Sequence, residues 1–401
     1  MLPFKHRADR FACYHQPHAA CSTGYVLALA APFWGWRCWP PFPQPTLRSG
    51  CCRCRYLRVA TGRSSCCRSC AGRAGALVGG SLGVIGVLLL VAPVVTALSV
   101  GHQFPAQFAQ AFPDRPAALD GPARQAPLVL SDLFLGVRSE DVVVKERVFD
   151  VVDGVELVLD VYRPSAQHPP LPGVVMVHGG SWQGGSRKDF PALNRYLAAR
   201  GYVVAAISYR FSPRFLFPAA LDDVSAALGY LEAHALELGL DRDRLALVGR
   251  SAGGQLALIA GYRLDHPAIK AVVSLYGPVA LRWGFFNPAK RSIIDSSAVL
   301  EAYLGGSPTT HGSQYDAASP LAHVGHHTPP TLLVSGARDE LVSPFHAEFL
   351  SDRLIRADVP HVVVRLPWGV HGCDFFFRGP CGQLSTFAVE RFLAAALGTP
   401  G

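Results

Sequence analysis

The feature that most constrains this chain is a serine placed between a short apolar strand and an apolar helical segment. Residues 245–248 run directly into Gly249-Arg250-Ser251-Ala252-Gly253, and a helical pattern resumes at 255–260. In a strand–turn–helix context, Gly-x-Ser-x-Gly predicts a nucleophile elbow, a tight turn that raises the serine hydroxyl above a sheet. Glycines at both ends let the flanking backbones approach closely. Taken alone, the pattern also fits a glycine-rich turn whose serine only caps the helix.

A second glycine-rich turn follows an earlier apolar strand. Residues 173–177 read as a fully buried strand that ends at the sequence His-Gly-Gly-Ser-Trp, 178–182. Successive glycines let backbone N–H groups turn toward a bound carbonyl oxygen. A helix that begins directly after the elbow serine would add the N–H group of its first residue. We therefore expect the N–H groups of Gly179, Gly180 and Ala252 to form an oxyanion hole.

An acid and a histidine follow downstream, each in a loop after an apolar strand. The strand at 331–336 is followed by Asp339, and the strand at 361–366 is followed by His371. The chain order serine, aspartate, histidine is the one expected for the α/β-hydrolase architecture. It differs from the orders in the two common protease folds.

This order predicts a role for each of the three side chains. Ser251 would attack a carbonyl carbon, His371 would accept its proton, and Asp339 would fix the imidazole tautomer and stabilise the imidazolium. Glu340 and Asp374 are alternative carboxylates, and Asp339 could also be a surface residue of its loop. The position of Asp339 directly after a strand, between the other two residues in the chain, favours it.

With these residues identified, the chain from about 142 to 397 resembles the carboxylesterase and lipase-like α/β hydrolases with a His-Gly-Gly oxyanion motif, of the hormone-sensitive-lipase and feruloyl-esterase types. Ser181 stands where many relatives have a third glycine, and Cys373 stands where an aromatic residue is common, which bears on substrate preference. Further matching stretches are Tyr209-Arg210, 217–223, 276–278, 303–308 and 329–334.

The resemblance implies a serine hydrolase that cleaves carboxylic esters through an acyl-enzyme on Ser251. It implies a small-molecule ester or lipid substrate and neither a cofactor nor a metal. An acyltransferase or amidase would use the same three side chains, so these activities remain alternatives. A membrane-anchored binding module with a hydrolase fold is the non-enzymatic alternative, because fold alone does not establish function.

The alternation of strands and helices predicts an α/β fold, an α/β-hydrolase domain over 135–401 with a mostly parallel sheet covered on both faces. Asp153-Gly154 predicts a hairpin between the first two strands. Between 279 and 327 the alternation stops. Three aromatic residues lie in this segment, and three more lie in the loop after the strand at 202–208. These six either line an apolar pocket or belong to the core: Phe211, Phe215, Phe217, Trp283, Phe285 and Phe286.

The front of the chain has a different composition. Residues 1–73 carry Lys5 and ten arginines against the single acid Asp9, a net charge of +10, whereas the whole chain carries +8, which leaves −2 for the remainder. The basic charge therefore gives the catalytic domain no reason to bind nucleic acid. We interpret this segment as a disordered extension or as sequence upstream of the true start. A zinc site on two Cys-x-x-Cys pairs, Cys51 and Cys54 with Cys67 and Cys70, is the alternative.

A long uncharged segment separates this extension from the domain. Residues 74–100 contain no charged side chain, and about 20 apolar residues suffice to cross a bilayer. We predict a transmembrane helix or signal segment here, followed by a Pro/Ala-rich linker at 101–134. Arginines immediately before it favour a catalytic domain outside the cytoplasm, anchored or exported. In that compartment Cys373 and Cys381 could pair.

Overall fold

The central element of the molecule is one eight-stranded sheet. The computed structural model describes residues 68–114, 124–136, 141–165 and 169–398. The sheet order is β1-β2-β4-β3-β5-β6-β7-β8, in which β1 and β2 run antiparallel to their neighbours and the other pairings are parallel. The strands are β1 Val142–Val152, β2 Val155–Pro164, β3 Leu171–Val177, β4 Val203–Ile207, β5 Leu240–Arg250, β6 Ile269–Leu275, β7 Thr331–Gly336 and β8 His361–Leu366.

Helices connect the parallel strands and cover both faces of the sheet, as the α/β-hydrolase prediction requires. Two short 3₁₀ helices, Pro320–His323 and Cys373–Phe375, complete the described elements. The α-helices are α1 Arg68–Gly101, α2 Phe104–Ala111, α3 Leu130–Leu135, α4 Pro191–Ala198, α5 Ala219–Ala233, α6 Ala235–Leu238, α7 Ala252–Arg263, α8 Leu281–Phe286, α9 Ser296–Leu304, α10 Gly312–Ala317, α11 Phe345–Arg356 and α12 Pro380–Leu397.

The core has two layers because successive residues of a strand point to opposite faces. In β3, Val175 and Val177 pack with α5 and α7, whereas Val174 and Met176 pack with α4 and α12. A strand buried on both faces reads as a continuous apolar run, which is why 173–177 carries no polar residue. The predicted fold class is confirmed.

The order of the strands brings the predicted site residues to one edge of the sheet. β3 and β5 are parallel neighbours, with Val177 opposite Gly249. The glycine turn after β3 and the elbow after β5 therefore leave the sheet side by side. β7 and β8 end at the same edge, because they run parallel to β5 through β6. Ligand sites of open parallel sheets lie beyond these carboxyl ends.

The segment expected to be a linker, 101–134, instead contains two helices that pack on the domain. Phe104 and Phe108 of α2 are almost fully buried, and the Phe104 ring stacks on Phe387 of α12 with centroids 5.7 Å apart. The sequence signal for α2 is a set of aromatic residues four apart, which form one apolar helix face but are hidden among prolines and alanines.

One helical stretch of the described residues, Gly80–Ala111, is long and apolar enough to cross a membrane by length and composition. A signal sequence would have the same character. The arginine-rich extension and its two Cys-x-x-Cys pairs lie outside the described residues, apart from the first backbone turns of α1.

Candidate active site

The turn between β5 and α7 has the strained geometry of an elbow. Ser251 has φ 52° and ψ −121°, and its N–H donates to the Leu275 carbonyl of the neighbouring strand at 2.9 Å. A Cβ atom on Gly249 would lie 2.0 Å from the Gly253 carbonyl oxygen, and one on Gly253 would lie 2.2 Å from that of Val177. Both positions therefore require glycine. The Ser251 side chain makes no capping hydrogen bond to α7, which removes the capping alternative.

Ser251, His371 and Asp339 lie in one hydrogen-bonded chain. His371 Nε2 is 3.0 Å from Ser251 Oγ, and His371 Nδ1 is 2.8 Å from Asp339 Oδ2. The other oxygen of Asp339 accepts the N–H groups of Leu341 and Val342, each at 2.9 Å. With Nδ1–H donating to the carboxylate, Nε2 is free to accept the serine proton.

The two competing carboxylates make other contacts. Glu340 pairs with Lys290 at 3.0 Å on the surface. Asp374 is buried and accepts from Arg250 Nε at 2.8 Å and from the Tyr276 hydroxyl at 2.6 Å. The structure therefore brings Asp339, and neither competitor, to the histidine.

A buried network that sequence reasoning missed joins the histidine loop to the elbow. Arg250 directly precedes the serine, and its partner Asp374 follows His371 by three residues, so their ion pair holds the two segments together. The Tyr276 ring packs edge-on against His371 with centroids 4.7 Å apart. Burial raises the pKa of Tyr276, and the Asp374 charge raises it further, so the phenol stays a hydrogen-bond donor. Cys373 is disulfide-bonded to Cys381 of α12, the expected pairing.

The His-Gly-Gly turn lies against the elbow. A Cβ atom on Gly179 would lie 3.2 Å from the Ser251 Cβ, and Gly180 has φ +121°. Ala252 is the first residue of α7, where N–H groups have no intrahelical acceptor. The three predicted oxyanion donors, Gly179, Gly180 and Ala252, thus belong to the two turns that meet at the serine.

His178 fixes the conformation of this turn. Its Nδ1 donates to the Gly179 carbonyl at 2.7 Å, and its ring stacks on Tyr209 with centroids 4.4 Å apart. The Tyr209 hydroxyl donates back to the His178 carbonyl at 3.1 Å. Burial lowers the pKa of His178, which keeps the imidazole neutral.

A small cavity of about 70 Å³ lies beside Ser251. Its walls come from the two turns, from α8 and α9, and from the loop after β7. Lining residues include Trp182, Leu281, Ile294, Leu300, Leu341 and His346. Trp182 is fixed by a 2.9 Å hydrogen bond to Gln255 and by stacking on Tyr303.

None of the six aromatic residues considered for a pocket lines this cavity. Phe217 is buried in the core, and Trp283, Phe285 and Phe211 pack against the core. Phe211 and Phe215 line a separate cavity around His178, while Phe286 is mostly exposed. Most of these six aromatic residues therefore belong to the core or pack against it, which was the alternative interpretation. The actual lining residues gave no sequence signal, because aliphatic residues on short helices look alike in the core and beside a site.

Among the described residues, no three His, Cys, Asp or Glu side chains are grouped to hold a metal ion.

The chain is similar to known esterases. Over 242 residues it is 30% identical to the probable carboxylic ester hydrolase LipM of Mycobacterium tuberculosis, covering 57% of this chain and 55% of LipM. Over 256 residues it is 30% identical to esterase LipC of the same organism, covering 59% of this chain and 61% of LipC. The chain thus spans between half and two thirds of the length of these relatives.

One solved structure and one family model match this chain. The propionate-bound esterase Est2 of Thermogutta terrifontis superposes with a TM-score of 0.53 at 25% identity, covering 64% of this chain and 95% of that one. The BD-FAE family model matches residues 159–354, which contain the glycine turn, the elbow serine and the acid. Over residues 159–354 this chain is therefore similar to the BD-FAE family, feruloyl-esterase-like domains, and it shares the α/β-hydrolase fold of the solved esterase.

Proposed function

We propose that the protein is a carboxylic ester hydrolase that works through an acyl-enzyme on Ser251. The observation that carries the proposal is the hydrogen-bonded chain from Asp339 through His371 to Ser251, at the point where the two glycine turns meet. The carboxylic ester hydrolases and esterases among its relatives support it.

Each step uses a group in this site. His371 Nε2 takes the proton of Ser251 Oγ as the oxygen attacks the ester carbonyl, and Asp339 stabilises the imidazolium. The N–H groups of Gly179, Gly180 and Ala252 stabilise the tetrahedral oxyanion. The intermediate expels the alcohol, which takes the proton from His371. Water then attacks the acyl-enzyme with His371 as base, which releases the acid and restores the serine.

We infer that the cavity beside Ser251 holds the acyl part of the ester and limits it to a few carbons. Its volume of about 70 Å³ is far below the roughly 300–1,000 Å³ of sites that enclose drug-sized ligands. A cavity of this size suits a short acyl group better than a long one. The propionate bound to the Thermogutta esterase supports a short acid.

We also infer that α1 anchors the protein with its catalytic domain outside the cytoplasm. Residues 74–100 carry no charge, and Arg63, Arg68 and Arg73 precede them. Cationic residues beside a span are typical of its cytoplasmic side. The Cys373–Cys381 disulfide supports this orientation, because such bonds persist in oxidising compartments.

The deciding experiment compares the full-length protein with Ser251→Ala on chromogenic esters of increasing acyl length, beside labelling by a serine-directed phosphonate. We expect fastest turnover of acetate and propionate esters, a loss of roughly 10³-fold or more in the variant, and no labelling of it. Ser274→Ala, a buried serine on the adjacent strand, is the matched control and should keep both properties.

Undiminished ester turnover in Ser251→Ala would refute the assignment. A wild type that is labelled but hydrolyses no ester would indicate another acyl donor. Release of alcohol without free acid would indicate acyl transfer.

A further inference from the structure

Large apolar side chains are exposed on two segments, one on each side of the contacts that Gln383 of α12 makes. Phe134 and Leu135, at the end of α3, are 80% and 85% exposed, and Phe375 and Phe376, in the loop after His371, are 67% and 73% exposed. We call these four residues the apolar corner. Isolated exposed apolar residues are ordinary, but a group of them marks an interaction surface.

One buried side chain links the two segments of the apolar corner. Gln383 of α12 accepts the N–H of Val129, at the start of α3, at 2.7 Å. Its amide nitrogen donates to the Arg378 carbonyl, two residues after Phe376, at 2.7 Å. Both segments are therefore fixed to the first turn of α12, which also carries the disulfide to Cys373 beside the histidine loop.

The apolar helix α1 reaches the domain at the same turn. A Cβ atom on Gly101, the last residue of α1, would lie 2.9 Å from Pro127 and 3.6 Å from Leu384 of α12. Further along the chain, Phe104 contacts Phe387 and Phe112 contacts Phe392. Later residues of this segment therefore contact later residues of α12. The chain after α1 thus runs down α12 from its N-terminal end, and α1 joins the domain at the end where the histidine loop lies.

Before its last two turns, α1 exposes apolar side chains between residues 81 and 95, among those that the structure describes. Ala97 and Val100 are buried against the domain, and Val94 is partly buried against it. The largest exposed side chains are those of Leu82, Val84, Ile85, Val87, Leu88, Leu89, Val91 and Val95. A bilayer is the environment that suits a helical segment as long as residues 74–100 with no charged side chain.

We propose that the apolar corner inserts into the surface of the bilayer that α1 crosses, so that Ser251 acts on esters whose lipophilic alcohol part lies in the lipid. The bilayer must meet the domain where α1 does, and that is the apolar corner. Arg378, exposed two residues after Phe376, can donate to the phosphate oxygens of lipid headgroups.

This assignment rests on the proposed function and specifies its substrate class. The small cavity takes a short acyl group, and the rest of the ester must lie outside the cavity. At a membrane surface a long alkyl or isoprenoid-like chain stays in the lipid while the ester bond reaches the serine. The substrate class is therefore a short-acyl ester of a membrane-soluble alcohol.

The test uses full-length protein reconstituted in phosphatidylcholine vesicles and the double variant Phe134→Ser, Phe376→Ser. The matched control is Leu236→Ser, which is 93% exposed on α6, next to the amino end of β5 and so at the opposite end of the sheet. Turnover is measured on a water-soluble aryl acetate and on hexadecyl acetate in the vesicles. We expect the double variant to lose about tenfold or more on the vesicle ester, since two large side chains leave the lipid. Its turnover of the soluble ester and both activities of the control should remain within about twofold of wild type.

Equal vesicle turnover by the double variant and the control would overturn the proposal. An equal loss on both esters would also overturn it, because the substitutions would then act on the site itself. A change in oligomeric size that accompanies the loss of vesicle-ester turnover would also overturn the proposal. A second copy of the chain would then cover the apolar corner.

A second measurement does not depend on activity. Phe376→Trp and Leu236→Trp are compared for quenching by brominated phospholipid, with the native tryptophans as a common background. We expect brominated lipid to quench the added tryptophan of Phe376→Trp but not that of Leu236→Trp. If the wild type hydrolyses neither ester but this quenching occurs, the proposed function fails while the membrane contact stands. Equal quenching in the two variants overturns the contact.

Discussion

Asp339 illustrates how one side chain is adapted to a single task. It is fully buried, it accepts from His371 through one oxygen, and it accepts from two backbone N–H groups through the other. The backbone bonds hold the carboxylate in place, so the histidine is oriented by a fixed acceptor. The adjacent Glu340 has its partner on the surface and offers a close comparison.

Replacing Asp339 by asparagine should reduce turnover sharply with little change in shape. An amide can donate to His371 Nδ1 and so favours the wrong imidazole tautomer, which in serine hydrolases costs about 10⁴-fold in kcat. We expect a loss of roughly 10³–10⁴-fold for Asp339→Asn in steady-state assays. Glu340→Gln should stay within about twofold, and a comparable loss there would mean that the acid has been misassigned.

His346 makes the stability of the protein depend on pH. It is buried beside the cavity, and its Nδ1 accepts the N–H groups of Val279 and Ala280, each at 3.3 Å. Burial lowers its pKa to about 4, although Asp339 acts in the opposite direction. The unfolded chain, with a histidine pKa near 6.5, therefore binds the proton first as pH falls.

This shift predicts a loss of stability on acidification. The contribution is complete above pH 6.5 and is lost as pH falls through 4, because protonation favours the unfolded state over that window. Its full size is about 3 kcal/mol. We expect thermal unfolding in detergent to show a smaller drop in Tm between pH 7 and 4.5 for His346→Asn, whose amide oxygen can accept the same N–H groups. Identical drops in the two proteins would contradict the shifted pKa.

At the scale of elements, α9 closes the cavity, and only its position makes it a specificity element. Leu300 lines the cavity, whereas Leu304, one turn later on the same helix, is buried in the core away from it. Nothing in the sequence separates the two leucines. The position of α2 was likewise not evident from the sequence. Its aromatic face packs on α12, although the composition of this segment is typical of a linker.

Leu300→Ala should therefore change substrate preference as well as stability. Both Leu300→Ala and Leu304→Ala should lower the free energy of unfolding by about 2–5 kcal/mol. Only Leu300→Ala enlarges the cavity, so the ratio of kcat/KM for hexanoate to that for acetate esters should rise at least about tenfold. The same rise in Leu304→Ala would indicate general loosening of the domain instead of a larger acyl cavity.

For the whole molecule, the disulfide and the apolar helix are both consistent with the proposed location of the catalytic domain outside the cytoplasm. Cys373 and Cys381 are paired, and they brace the histidine loop against α12. The helix α1 joins the domain at this first turn of α12. A domain on the oxidising side of the membrane would keep this bond, whereas cytosolic thiols stay reduced.

This topology predicts the redox state of the two cysteines in cells. Alkylation of the membrane fraction under denaturing conditions should leave Cys373 and Cys381 unmodified unless reductant is added first, as read by mass spectrometry of the peptides that contain them. The protein should also remain in the membrane after alkaline extraction. Free, alkylated thiols without reductant would place the domain in the cytosol.

The sequence by itself determined the features that depend on local backbone geometry. Gly249 and Gly253 are required by contacts within the turn and with the adjoining strand, and Asp153 and Gly154 both adopt positive φ in the predicted hairpin. Alternating strands and helices fix the parallel sheet, and the sheet brings the ends of β5, β7 and β8 to one edge. For this reason the fold, and the choice of Ser251 and His371 as neighbours, could be predicted.

Only the tertiary structure decided between the three carboxylates. It also revealed the ion pair of Arg250 with Asp374, the size of the cavity beside Ser251 and the docking of α2. Each of these depends on side chains that are distant in the chain: Arg250 and Asp374 are 124 positions apart. Periodicity and spacing report which face of an element is apolar, but they do not report which distant side chain packs against it. That choice is made by the packing of the whole domain, which also set Asp339, and not Asp374, against His371.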